Sequence, residues 1–363
     1  GVDWSDTIQR DPNEIDHKTL SLAARSAQPS YAIECADRTC ASRDQYRVVA
    51  ATEAVASPAT GTYHDAINTT GWSVLSVSTS STFPATKQAY GAGYLEGYLS
   101  QERISQSFTN TIPHPSEQSP WIRTFAAANL QWTKDQTAKN HSEYWKQVSY
   151  IVEQVEGLYD GYMARLKERQ ANQPTPTPDQ GAGTYREIVL EEMWHAQISG
   201  GDLDTLQNID PTQPHDRLLQ SRGQHCSGLA KFLADNGQGQ ADIFFSHASW
   251  DMYDGLIRVY KHYDFPFVAN TAQNATFASY PGLVLSSDDF YVLSNGLALL
   301  TTEMGALPNT TLYEYLLEKE APTYGLWAFF RSTVANRLAD TADQWVDIFS
   351  QNNLGTLENQ WLI

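Results

Sequence analysis

The stretch from Cys226 to Ser246 reads CSGLAKFLADNGQGQADIFFS, and it predicts a pair of β-strands. Its two apolar segments, Cys226–Leu233 and Asp242–Ser246, flank the turn-forming residues Asp235–Gly239. The polar and turn-rich residues 206–225 lead directly into this hairpin. A cysteine therefore opens the first strand of the predicted pair.

Outside the hairpin, runs of β-branched and aromatic residues predict strands, and apolar residues at spacings of three and four predict helices. We predict strands at 46–54, 71–79, 275–285, 290–300 and 361–363, and helices at 85–104, 121–137, 145–162, 185–205, 251–263, 311–319 and 324–339. Glycines at 91, 93 and 97 are expected to allow close helix packing. Residues 1–45 read as an arm and the Pro-rich 173–183 as an extended loop. This order of elements predicts an α+β fold, with antiparallel sheets packed under helices.

The composition of the 363 residues bounds the partners of the chain. Hydrophobic residues make up 41%, which is typical of a globular protein, and the net charge is −18. Such a chain would be repelled by nucleic acid, so we predict no nucleic-acid partner. The acidity also fits either simple solubility or an acidic compartment. The sequence has no apolar run long enough for a transmembrane helix.

Several features favour the secretory pathway. The first residue is Gly1 rather than Met, which suggests that a targeting segment has been removed. Cys35 and Cys40 are close enough for a local disulfide, with a metal pair as the less favoured alternative, because no matching His/Cys cluster follows. We predict no metal and no other cofactor. Four Asn-X-Ser/Thr sequons are candidate glycosylation sites: Asn68, Asn140, Asn274 and Asn309.

Cys226 is left over after the predicted disulfide is formed. A lone cysteine is most often a small buried hydrophobe. A cysteine that opens a strand after a turn-rich stretch also matches an N-terminal-nucleophile hydrolase, in which the peptide bond before the nucleophile is cut by its own side chain. The freed α-amine then acts as general base, with an unperturbed pKa of about 7.7–8.0. The absence of a Cys/His/Asn protease signature is then no objection.

Longer motifs resemble those of the phospholipase B-like family. They include HCSGLAKFL and ADIFFSHASWDMYDGLIRVYKHYDF around the hairpin, SYPGLVLSSDDFYVLSNGLALLTTE at 279–303 and VANRLADTADQWVDIFSQNNLGTLENQW at 334–361. GYLEGYLSQERI at 93–104 and QISGGDLDTL at 197–206 match as well. The resemblance covers residues from about 65 to the end of the chain.

The resemblance implies an αββα four-layer sandwich of the N-terminal-nucleophile hydrolase type, incomplete at its C-terminus in this chain. It implies self-cleavage between His225 and Cys226 into an N-terminal fragment, 1–225, and a nucleophile-bearing fragment, 226–363, which stay associated as one globular unit. It further implies hydrolysis of acyl ester or amide bonds in phospholipid-like substrates, and a lysosomal or secreted location.

The resemblance also assigns roles to residues of this chain. Cys226 is the expected nucleophile. His247 is expected beside its sulfur, although a structural hydrogen bond is the ordinary role of a strand-end histidine. Trp250 is expected either in the substrate pocket or in the core. Asn359 is the expected oxyanion donor, with a strand-edge amide as the alternative.

Other acidic and basic residues near these motifs receive less specific roles. For Asp288 and Asp289, a role in a structural turn is favoured over a role as paired carboxylates. Arg258 and Lys261 are expected on a helix, in surface or salt-bridge roles.

Two departures from the family pattern leave alternatives open. Glu358 stands where relatives usually have Asn, which would impair the oxyanion site if that Asn were the one used. The chain also ends in an apolar run, so we expect a further C-terminal segment or a homo-oligomer. A non-catalytic lumenal glycoprotein, or an uncleaved precursor, that binds lipid or a partner is therefore the competing hypothesis. A papain-like hydrolase using His247 is a weaker one.

Overall fold

The computed structural model describes residues 29–35, 40–54, 56–172, 185–213, 226–235, 237, 239–250, 253–267, 272–287, 290–303, 310–357 and 359–363. Its strands are β1 (Tyr31–Cys35), β2 (Tyr46–Ala50), β3 (Ala59–Ala66), β4 (Trp72–Thr79), β5 (Ser227–Leu233), β6 (Asp242–Ala248), β7 (Arg258–Asp264), β8 (Asn274–Ser279), β9 (Phe290–Leu293), β10 (Ala298–Glu303) and β11 (Asn359–Leu362). Its α-helices are α1 (Ile67–Thr70), α2 (Ala85–Leu99), α3 (Gln101–Thr111), α4 (Pro120–Lys139), α5 (Glu143–Asn172), α6 (Leu190–Ile198), α7 (Asp202–Ile209), α8 (Ala328–Leu338) and α9 (Ala342–Phe349).

Nine of these strands form one sheet in the order β11-β10-β9-β8-β7-β4-β3-β1-β2. Neighbouring strands are antiparallel except β4 and β7, which are parallel and in register from Trp72 opposite Arg258 to Ser78 opposite Asp264. The early strands β1–β4 and the late strands β7–β11 therefore share one sheet. The predicted α+β class is confirmed, whereas the sheet is mixed rather than purely antiparallel.

One face of this sheet carries the helices, and its side chains follow the two-residue period of a strand. Leu75 and Val77 of β4 and Val259 of β7 are buried on that face. At the other end of the sheet, Trp361 of β11 packs on Trp345 of α9, with 5.0 Å between ring centroids. Burial of this face forms one hydrophobic core, and a second core lies among helices α3–α8.

Helices α2 and α5 cross at a contact made by glycines. A Cβ atom added to Gly97 would lie 2.0 Å from the carbonyl oxygen of Leu158, and one added to Gly161 would lie 1.9 Å from that of Tyr94. Gly93 makes the same kind of close approach to Gln154. The expectation of close helix packing is thus confirmed at positions 93 and 97, because side chains there would hold the two backbones apart, whereas Gly91 contacts Pro58 instead.

The remaining two described strands, β5 and β6, form a separate antiparallel hairpin. It lies on the face of the sheet opposite the helices. A Cβ added to Gly228 would be 3.4 Å from Thr302 Cγ2 and 3.6 Å from Leu300 Cδ1, and both side chains alternate with the helix-facing Thr301. The Phe245 ring lies 6.1 Å from that of Phe290 on β9. The predicted strand pair is confirmed, and it rests on β9 and β10.

The helix predicted at 251–263 is wrong, since Arg258–Asp264 is strand β7 in the middle of the sheet. Lys261 lies on the same face of β7 as the buried Val259 and Tyr263 and is only 1% exposed. Its Nζ lies 2.6 Å from Glu96 Oε1, and Tyr263 donates a hydrogen bond to the other oxygen of Glu96. A lysine and an arginine interrupted the apolar pattern of this strand and made it resemble an amphipathic helix.

Smaller differences concern element boundaries. Residues 31–35 of the predicted arm form β1, and β3 was not predicted because Gly, Thr and His dilute its apolar pattern. The predicted strand 290–300 is a hairpin of β9 and β10 that turns at Gly296, whose φ is 91°. The helix predicted at 185–205 is the pair α6 and α7, and residues 311–319 contain a 3-10 helix.

Candidate active site

Cys226 is a half-buried free thiol directly before β5. In the hairpin, Ser227 pairs with Ala248 and Gly228 pairs with His247. Since side chains two residues apart share a strand face, Cys226 lies on the same hairpin face as Gly228 and His247. That face is directed at β10. The thiol and the imidazole therefore lie on one face of the same hairpin, and a direct contact of His247 with the Cys226 sulfur stays a prediction.

His247 is held in a defined orientation. Its Nε2 lies 2.9 Å from the carbonyl oxygen of Thr301, and its Nδ1 lies 3.4 Å from Ser249 Oγ. A carbonyl oxygen can only accept, so Nε2 carries the proton in this contact. A neutral His247 then has its lone pair on Nδ1, which faces Ser249. Ser249 directly follows β6, and Cys226 directly precedes β5.

Asn359 approaches Thr301 from the other face of the sheet. Its Nδ2 donates to Thr301 Oγ1 at 3.2 Å, and its Oδ1 is buried without a partner. Asn359 lines a small cleft with Asp202 and Phe329, on the helix side of β10 and β11. In this structure the backbone of β10 therefore separates the Asn359 amide from the hairpin that carries Cys226. A direct oxyanion contact stays a prediction.

Trp250 is 59% exposed. This exposure excludes burial in the core of the described residues, and pocket lining stays a prediction. His225, Asp288, Asp289 and Glu358 lie outside the described residues, as does the sequon residue Asn309.

The remaining predicted modification sites lie among the residues that the structure describes. Asn68, Asn140 and Asn274 are exposed, so each is accessible to a glycan, and their occupancy remains a prediction. Cys35 and Cys40 form a disulfide, as predicted. Within the described ranges, no group of three or more His, Cys, Asp or Glu side chains is placed to hold a metal ion.

Asp202 is a feature of the site region that the sequence did not assign. It is the first residue of α7 and is 3% exposed. Its carboxylate accepts hydrogen bonds from Thr356 Oγ1 and, at 3.1 Å, from the backbone N–H of Ala328 at the start of α8. Burial raises the pKa of Asp202 to about 6, although the Thr356 hydroxyl and the charge of Arg331 oppose that rise. Asp202 therefore links α7, α8 and the segment that leads into β11.

Thr301 was likewise missed, because a threonine within an apolar strand carries no chemical signal of its own. The available signal for Asp202 was the GGD sequence before a helix, in which an acid follows two glycines. These two residues join elements that are distant in sequence, and such a role can be recognised only in the folded chain.

Within the described part of the chain, no helix is both long and apolar enough to cross a bilayer. The phospholipase B family model matches residues 59–363. Phospholipase B from Crotalus adamanteus is 31% identical over 84% of this chain and 54% of its own length. Phospholipase B-like 1 from Homo sapiens is 32% identical over 84% of this chain and 52% of its own length, and that from Bos taurus is 30% identical over 84% and 53%.

The chain therefore belongs to the phospholipase B family. It spans about half the length of the curated relatives that it matches.

Proposed function

We propose that this chain is part of a self-processing N-terminal-nucleophile hydrolase that cleaves acyl ester or amide bonds in phospholipid-like substrates. The observation that carries the proposal is the placement of Cys226 at the start of β5, on the same hairpin face as His247 and against β10. The family relationship supports the substrate class, because the similar proteins are named phospholipase B.

Self-cleavage begins with attack of the Cys226 sulfur on the carbonyl carbon of His225. The acyl group moves from the Cys226 nitrogen to the sulfur, and water hydrolyses the resulting thioester. The products are a carboxylate on His225 and a free α-amine on Cys226. Before this step the nitrogen is part of a peptide bond and cannot act as a base, so the uncut chain is inactive.

In the hydrolytic cycle, the α-amine accepts the thiol proton and Sγ attacks the substrate carbonyl carbon. The amine then returns that proton to the leaving alcohol or amine, and water releases the acyl group from the thioester as a carboxylic acid. His247 is fixed through its Nε2–H on Thr301 and orients the substrate or stabilises charge beside the sulfur. Trp250 lines the acyl pocket.

Contacts across the proposed cut are extensive enough to keep the two fragments associated. Strand β4 of the first fragment pairs with β7 of the second, from Trp72 to Ser78. Helix α5 of the first fragment also contacts the second fragment, because Gln154 Oε1 accepts a hydrogen bond from Arg337 Nη2. These contacts support the proposal that fragments 1–225 and 226–363 stay associated as one globular unit after cleavage.

The hairpin supports the finer fold proposal, an αββα four-layer sandwich. Leu229, Phe232, Ile243 and Phe244 are exposed on a two-stranded sheet, although an isolated hairpin is only marginally stable in water. We infer that β5 and β6 are the first strands of a second sheet. Further strands and an outer helical layer, supplied by the rest of a longer protein or by another chain, would cover these side chains.

The sequons, the disulfide and the family relationship support a lysosomal or secreted location. The net charge of −18 is compatible with an acidic lumen.

The test is to incubate the purified full-length protein in mildly acidic buffer and to identify new N-termini by mass spectrometry. We expect a fragment that begins Cys-Ser-Gly, together with deacylation of phospholipid. Cys226→Ala should abolish both, whereas Ser246→Ala, on the outer face of the same hairpin, should leave both unchanged. An intact chain that deacylates phospholipid, or a Cys226→Ala variant that behaves like the wild type, would contradict the proposal.

A second candidate is a non-catalytic lumenal glycoprotein that binds lipid or a partner, or an uncleaved precursor. The observation that favours it is the position of the Asn359 amide, on the opposite face of β10 from the hairpin. This candidate predicts phospholipid binding without turnover. Stoichiometric labelling of Cys226 by an iodoacetamide probe, blocked by an acyl substrate analogue, would contradict it.

A further inference from the structure

Arg337, in the last turn of α8, has an incomplete set of partners. Its Nη2 donates to Gln154 Oε1 of α5 at 3.1 Å, whereas its Nη1 is buried without any hydrogen-bond acceptor. No carboxylate among the described residues lies within ion-pair distance of it. The guanidinium lies over the Phe267 ring, with 5.0 Å from Cζ to the ring centroid, and 6.0 Å from that of Phe265.

Aromatic faces stabilise a cation, but they do not accept the in-plane N–H groups of a guanidinium. Burial without a counter-ion lowers the pKa of Arg337 to about 10, although the neighbouring tyrosines Tyr263 and Tyr150 act in the opposite direction. The molecule therefore retains a desolvated positive charge whose hydrogen bonds are only partly satisfied.

A cavity lies beside this side chain, between α8 and the helix face of β7 and β8. Its polar lining besides Arg337 comes from Gln273, Thr333 and Asn336, and its walls are the rings of Tyr263, Phe265, Phe277 and Tyr291. Among the described residues, no acidic side chain lines it. The nearest described carboxylate in the network of Tyr263 is Glu96, and Lys261 neutralises that charge. Of the described residues that line the cavity, one is a cation and none is an anion, so an anion bound there would be attracted by Arg337.

Arg331, one turn and a half earlier on the same helix, provides an internal comparison. It is 2% exposed, its Nη1 donates to the carbonyl oxygen of Phe349 at 2.7 Å, its Nε is buried without a hydrogen-bond partner, and the Asp202 carboxylate interacts with its charge. Each arginine therefore keeps one buried N–H without an acceptor, but Arg331 has a carboxylate that compensates its charge. Arg337 has no such carboxylate among the described residues, and it lines a cavity.

We propose that Arg337 and the cavity beside it bind a small monovalent anion, either a halide ion or a short carboxylate. Nη1 supplies the charged hydrogen bond, and the Asn336 and Gln273 amides lie on the lining that faces the ion. The site is on the helix side of the sheet, so it is separate from the Cys226 hairpin and does not depend on the proposed hydrolase activity.

The first experiment measures the melting temperature of the full chain at constant pH and ionic strength, as sodium chloride or sodium acetate replaces sodium gluconate. We expect a saturable rise of about 2 °C at ten times the dissociation constant. Arg337→Met should abolish it, and Arg337→Lys should weaken it because the planar fork is lost. Arg47→Met, at a solvent-exposed arginine, is the matched control and should keep the full rise.

The second experiment uses crystals of the wild-type protein soaked in sodium bromide, and it stays decisive if Arg337→Met fails to fold. A bromide anomalous peak within about 3.5 Å of Arg337 Nη1 is the expected result if the ligand is a halide. A rise seen with acetate alone, and lost in Arg337→Met, would identify the ligand as a carboxylate. The proposal is overturned if neither anion raises the melting temperature, or if Arg337→Met responds as the wild type does.

Discussion

The two faces of the nine-stranded sheet have opposite environments. On one face, helices cover even a charged lysine, and Lys261 is buried with its partner Glu96. On the other face, the part of the chain that the structure describes places the β5–β6 hairpin, where Phe244 is 56% exposed and Lys231 is in solvent. Among the described residues, the helix face is covered, whereas the hairpin that carries Cys226 and His247 keeps large apolar side chains exposed. The residues proposed for chemistry thus lie on the more exposed of the two regions.

The largest expected effect is on the helix face. Lys261→Met removes the cation from a buried pair and leaves the Glu96 carboxylate uncompensated, which should lower the free energy of unfolding by about 3–5 kcal/mol. Lys231→Met makes the same chemical change on the exposed hairpin and should cost less than about 0.5 kcal/mol. Urea denaturation of both variants provides the measurement. Equal losses would contradict the contrast between the two faces, and adding Glu96→Gln to Lys261→Met should recover part of the stability.

The next effect concerns the contact between α2 and α5. Gly161→Val places a side chain where the Tyr94 carbonyl oxygen lies, so the helices must separate, at an expected cost of about 2–3 kcal/mol. Ala138→Val adds the same β-branched side chain at an exposed position near the end of α4 and serves as control. Thermal denaturation distinguishes them, and a Gly161→Val melting temperature equal to that of the control would show that the helices are not in contact in solution.

Asp202 predicts a pH dependence of stability. The pKa in the folded state is about 6, above the ordinary value of 3.8, so the folded chain binds the proton more tightly than the unfolded chain does. The contribution of this group to stability is therefore present at low pH and is lost as the pH rises from about 4 to about 6, by about 2 kcal/mol.

Unfolding measured against pH should show this slope in the wild type and a flatter profile in Asp202→Asn. Asp347→Asn, at an exposed acid, should retain the wild-type slope. If the free energy of unfolding depends more steeply on pH in Asp202→Asn than in the wild type, the Asp202 carboxyl group is not the source of the pH dependence.

The smallest effect is expected on the hairpin. Phe244→Ser should change the free energy of unfolding by less than about 0.5 kcal/mol, because most of the ring is already in solvent. Phe277→Ser, the same change in the core of the large sheet, should cost about 3–5 kcal/mol. A large loss for Phe244→Ser would show that the outer face of the hairpin is covered in solution, by a second copy or by a further part of the protein.

The sequence predicted those elements whose patterns repeat locally. The apolar stripe from Trp145 to Tyr162 identified α5, and the turn at Asp235–Gly239 identified the β5–β6 pair. Strand β7 was misread as a helix because the partner of Lys261 lies on α2, far away in sequence. A buried charge is recognisable only when its counter-charge is known, and sequence spacing does not supply it.

The predictions for the candidate site also divide into those that depend on a local pattern and those that depend on long-range contacts. The strand pair that carries Cys226 and His247 was predicted correctly because its apolar segments and turn residues form a local pattern, whereas the contact between the two side chains stays a prediction. The side of the sheet on which Asn359 lies depends on the pairing of β11 with β10, which is a long-range register. The roles of Thr301 and Asp202 depend on tertiary contacts with residues more than fifty positions away.

The parallel pairing of β4 with β7 has a consequence for synthesis. When residues 72–79 leave the ribosome, the hydrogen-bonding edge that will receive β7 has no partner, and residues 80–257 must be translated before Arg258–Asp264 arrives. At 5–20 residues per second this interval lasts about 10–35 s. During that time an unpaired strand edge in a nascent chain is open to association with other chains. We therefore expect this protein to require chaperone protection at an early stage of translation, before any of the proposed nucleophile-bearing fragment has been made.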